Sequence, residues 1–65
     1  MKNYENALAD FTEANDENKD FAEAYFNRAI TYTKLLDMKK ACIDIKKSAQ
    51  LGYAPSNMHI KSICN

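Results

Sequence analysis

Glycine and proline occur once each in 65 residues, as Gly52 and Pro55. An all-β domain of this length needs several tight turns, and turns draw heavily on those two residues. Their scarcity favours helices. No apolar run approaches the roughly 20 residues of a membrane span, so no membrane partner is expected. The opening MKNYENAL lacks the apolar block of a signal peptide, and export is not expected either. His59 is the only histidine, and the chain has no Gly-rich phosphate loop and no nucleophile–base spacing. An enzyme is therefore not expected. Cysteine is limited to Cys42 and Cys64, without the C-x-x-C spacing of a metal site, so neither a metal, a cofactor nor a disulfide framework is expected. Both cysteines fall on apolar positions of helical patterns, where the residue behaves as a small hydrophobe. Free thiols in a reducing compartment, the cytoplasm, are the expectation.

What is present suits one small domain near the lower limit at which an apolar core outweighs chain entropy. Charge is balanced overall but segregated along the chain. Residues 1–23 hold two basic residues against seven acidic ones, a net of −5. Residues 24–65 hold seven basic residues against Asp37 and Asp44, a net of +5. A dedicated nucleic-acid binder is normally basic throughout, so this polarity argues against nucleic acid as a partner.

Periodicity predicts four helices. Tyr4, Ala7, Leu8, Phe11 and Ala14 mark one face of a helix over Tyr4 to Asn15, and NDENKD then breaks the pattern. Asp20 with Glu23 reads as a capping box for a helix from Phe21 to about Leu35. That helix carries two adjacent stripes, Ala22, Tyr25, Ala29, Tyr32 and Phe26, Ile30, Thr33, so it is expected to touch neighbours on both sides. Asp37 is placed to cap a third helix from Met38 to about Gln50, with Met38, Ala41, Cys42, Ile45 and Ala49 on its buried side and Gly52 at its end. Pro55 suits the first turn of a short fourth helix reaching about Cys64. The fold class expected is all-α, with neighbouring helices antiparallel.

ALADFTEA (7–14) and ACIDIKKS (41–48) share one frame 34 residues apart. That period is the tetratricopeptide length, and residues 22–55 resemble one whole tetratricopeptide repeat. Tyr25, Ala29 and Tyr32 match the aromatic, small and aromatic positions of its first helix; Ala41, Ile45 and Ser48 match the small, large and small positions of its second. The resemblance implies a solenoid of helical hairpins in one domain over 1–65. Residues 3–16 would be the second helix of a partial repeat, 21–51 a complete repeat and 55–64 a terminal helix. Arg28 stands where Leu is usual, Ile63 where a small residue would sit, and Tyr53 where the family often has Pro. KKSAQLGYAPS is also similar to Sel1-like repeats, the alternative within the same architecture.

The resemblance implies a concave groove lined by Glu23, Phe26, Asn27, Ile30, Thr33 and Lys34, taking a peptide or partner helix. Against this stands the plainer reading of Phe26 and Ile30 as core. Arg28 is expected to pair with Asp10 or Asp44, which hold the same frame position. Lys39, Lys40, Lys46 and Lys47 form two i, i+7 pairs, by default a solvated face but also a surface for nucleic acid or an acidic partner. The first helix of another copy, with Glu5, Glu13 and Asp16, is such a partner. Two function classes follow: a protein–protein interaction scaffold, or a self-assembling homo-oligomer joined through Tyr4, Leu8 and Phe11, where the first helix lacks its pair.

Overall fold

Asn3, Asp37 and Pro55 open three of the four helical segments, each by its own chemistry. The Asn3 side chain accepts the Asn6 N–H and starts α1, Tyr4–Glu17. The Asp37 carboxylate accepts the Lys40 N–H at 3.2 Å and starts α3, Met38–Gln50. Pro55 lies in a single 3₁₀ turn, Ala54–Ser56, which leads directly into α4, Asn57–Cys64. These segments come from a computed structural model that describes residues 3–64. The predicted domain limits at residues 1 and 65 lie outside the described residues. Among the described residues every regular element is helical, as the composition required.

The second helix begins differently from the predicted capping box. α2 spans Ala22–Lys34 and its cap position is Phe21, with no side-chain bond to the helix. Asp20 is engaged from the other direction: its N–H donates to the Asn18 side chain, so the turn is organised by Asn18. The Phe21 carbonyl accepts both the Ala24 N–H and the buried Asn15 side chain, which locks α1 to the start of α2. Gly52 adopts φ +94° after α3, as a helix-ending glycine should. Leu36 does the same between α2 and α3 at φ +60°, a conformation that costs a side-chain-bearing residue about 1–2 kcal/mol.

Each helix packs on the next in the chain, with α2 against α3 the most extensive contact. The molecule measures 27 × 26 × 16 Å. Its core lies between α2, α3 and α4: Ala29, Ala41 and Ile45 are fully buried and Ile63 nearly so. Close approach of α2 and α3 follows from the two alanines, which leave room for the opposing backbone. Ser48 and Ser56 meet in a buried hydroxyl pair that fixes the 3₁₀ turn against α3.

Two expectations about α3 and α4 are overturned. Met38, assigned to the buried side, is 41% exposed, lining the open groove beside Ile30, Thr33 and Ile63 instead of filling the core. Cys42 and Cys64 are not free thiols: they form a disulfide joining α3 to α4, with Cα atoms 4.9 Å apart. Spacing alone could not reveal this pairing. It arises because the 51–53 turn folds α4 back along α3 and brings two half-buried apolar positions into register.

Candidate interaction surfaces

Arg28 sits at the centre of the strongest polar contact. Its Nε and Nη2 donate to the two carboxylate oxygens of Asp44 at 2.7 and 2.8 Å, the bidentate geometry of strong guanidinium–carboxylate pairs. Nη1 reaches across to the Thr12 hydroxyl of α1 at 3.2 Å. The side chains are only 18% and 6% exposed, which places the pair among buried salt bridges rather than solvated ones. Asp10, the other candidate partner, is exposed on α1 and lies outside this contact; Thr12 provides the α1 connection instead. The hydrogen bond to Asp44, opposed by burial and helped by the Asp44 charge, raises the Arg28 pKa above its ordinary value. The guanidinium also lies 5.5 Å from the centre of the Tyr25 ring.

The six predicted groove residues divide along α2. Towards its N-terminal half, Glu23 is exposed and Asn27 half-buried, while Phe26 is covered. The Tyr53 ring lies 5.1 Å from Phe26, and the His59 ring meets it edge-on at 5.4 Å. Towards the C-terminal half, Ile30, Thr33 and Lys34 remain accessible. They line an open groove of about 370 Å³ whose opposite wall is His59, Ser62 and Ile63 of α4, with Met38 at one end. Thus Tyr53, just before the 3₁₀ turn, and His59 of α4 close the upper groove with aromatic contacts, and the lower groove stays open. Sequence reasoning missed the α4 wall, since a helix-by-helix pattern does not say which faces of α2 and α4 oppose one another.

On α1, Tyr4, Leu8 and Phe11 are all half-buried against one neighbouring helix. The 34-residue frame makes the consequence measurable. Phe11 corresponds to Ile45 and Ala7 to Ala41; both α3 residues are at 0% exposure, while both α1 residues retain accessible surface. α3 is flanked on two sides and α1 on one. At the other edge of the molecule, Ile43 is 63% exposed beside a second open hollow that includes Met38, Lys39 and the disulfide.

Among the described residues, no helix is long and apolar enough to cross a membrane. Comparison of the chain with models of known families, with curated proteins and with solved structures finds no match.

Proposed function

We propose that this chain is a helical-repeat interaction module of the tetratricopeptide kind, with Sel1-like repeats as the near variant, rather than an enzyme. It holds a peptide or partner helix in the groove between α2 and α4. The observation that carries this reading is the open lower groove, where Ile30, Thr33 and Lys34 face α4 across an accessible cleft. Burial supports the repeat assignment: Ala29, Ala41, Ile45 and Ser48, the small and large positions of the repeat frame, are all at 0% exposure. Ile30, Met38 and Ile63 in a mixed lining, with Lys34 beside them, suit a segment that carries both an apolar and an acidic residue. The disulfide bears on location. Such bonds persist where the environment oxidises thiols, so the proposed setting is an oxidising compartment in place of the cytoplasm expected from free thiols.

Selection of a random peptide library against the purified chain tests the groove. Enrichment of apolar, acidic sequences is expected, with binding lost in Ile30→Lys and weakened in Lys34→Glu. Binding unchanged by either substitution would place the peptide elsewhere and sink the reading.

A further inference from the structure

We propose that the acidic face of α1 docks head-to-tail on the α3–α4 edge of a second copy of this chain, with Asp10 of one copy paired to Lys46 of the next. The docking surface borders the α2–α4 groove and shares Ser62 and Met38 with it, but Asp10, Lys46 and Ile43 lie outside the groove lining, so the ion pair is testable apart from what the groove binds.

The 34-residue frame supplies the register. Within the chain, Arg28 of α2 bonds Asp44 of α3 and Thr12 of α1, so a cation on the intervening helix joins the two outer helices. Shifted by one period, Arg28 becomes Ser62 of α4, Thr12 becomes Lys46 of α3, and Asp44 becomes Asp10. The cation has moved from the intervening helix to the outer one, and charge is conserved. α1 of a second copy, set on α3 and α4 as α3 is set on α1 and α2, brings Asp10 against Lys46 beside the small Ser62. Asp10, Lys46 and Ser62 are all exposed in the single chain, ready for such a contact.

The surrounding surface agrees. Asn6, Asp10 and Glu13 form an exposed stripe at spacings of four and three; Lys39, Ile43 and Lys46 form another at the same spacings. One is acidic, the other basic around an exposed isoleucine. The half-buried Phe11 of the incoming α1 has apolar surface to lose, and Ile43 with Met38 offers apolar surface to receive it. Because the two faces differ, the contact is heterologous and extends into a linear series instead of closing as a dimer.

Sedimentation velocity on the 65-residue chain across protein concentration and salt tests the proposal. Mass is expected to grow with concentration and to fall as salt rises. Lys46→Glu and Asp10→Lys, each exposed and expected to leave the melting curve unchanged, should each weaken association about tenfold or more. Mixing the two variants should restore it, since each then meets an opposite charge. Ile30→Lys, in the groove, should associate like the parent. A parent chain that stays monomeric at every concentration, or association indifferent to both reversals, would overturn the proposal.

Discussion

Arg28 joins three helices through one guanidinium, and its surroundings decide what that contact is worth. An exposed pair contributes about 0–1 kcal/mol, whereas removing one partner of a buried pair costs roughly 3–5 kcal/mol. With Asp44 at 6% exposure the second case applies. Asp44→Asn is therefore expected to lower stability by several kcal/mol, while Arg28→Met with Asp44→Leu together should recover most of the loss. Denaturant titration of the three chains checks this; a single-variant midpoint equal to the parent would contradict it. The raised Arg28 pKa sets the sign of its pH dependence. Its contribution is fully present below the unfolded value and is lost only as pH climbs through the still higher folded value. Arg28 is thus a constant cation across any ordinary pH range. The pairing of Arg28 with an aspartate was legible from the twin frame, but the choice of Asp44 over Asp10 was not. That choice depends on which neighbour lies across the closer helix contact, a tertiary fact. Asn15 escaped for the opposite reason: its turn propensity pointed to solvent, and the structure buries it to hold the Phe21 carbonyl.

At the scale of elements, caps discriminate between what sequence patterns promise and what the helices use. Asp37 caps α3 through a side-chain bond, whereas Asp20 makes no such bond to α2. Asp37→Ala should cost about 1 kcal/mol, and Asp20→Ala should stay within about 0.5 kcal/mol of the parent. Equal losses at the two sites would show that α2 is capped by Asp20 after all. Leu36 gives a gain in the same experiment. It is 85% exposed and holds a left-handed backbone, so Leu36→Gly relieves the Cβ clash at the cost of extra freedom in the unfolded chain. The expected net is a stabilisation of up to about 1 kcal/mol, a rise of roughly 4–8 °C in Tm for a domain this size. Helix α3 was readable to its ends because a cap, a strong apolar period and a terminal glycine all agree there. The start of α2 was not, because Asn18 and Asp20 compete for the same turn and hydrogen bonding within the turn decides between them.

For the whole molecule, the disulfide carries weight out of proportion to its size. A 65-residue core supplies on the order of 3–5 kcal/mol without staples. Closing a loop between residues 22 apart in sequence restricts the unfolded chain by about 3 kcal/mol in the chain-entropy account. The bond joins α4 to α3, and α4 provides Ile63 to the core and His59 to the groove wall, so its loss reaches both fold and binding surface. Reduction is expected to lower Tm by about 10–25 °C at fixed protein concentration. A Cys42→Ala, Cys64→Ala chain should melt near the reduced value and ignore reductant. Thiol alkylation of the unfolded chain followed by mass measurement checks the premise directly, with no label taken up until reductant is added. If both thiols label beforehand and reductant leaves the midpoint in place, α4 is held by packing alone. The oxidising compartment then loses its support, whereas the Asp10–Lys46 contact, which makes no use of the bond, still stands or falls on sedimentation.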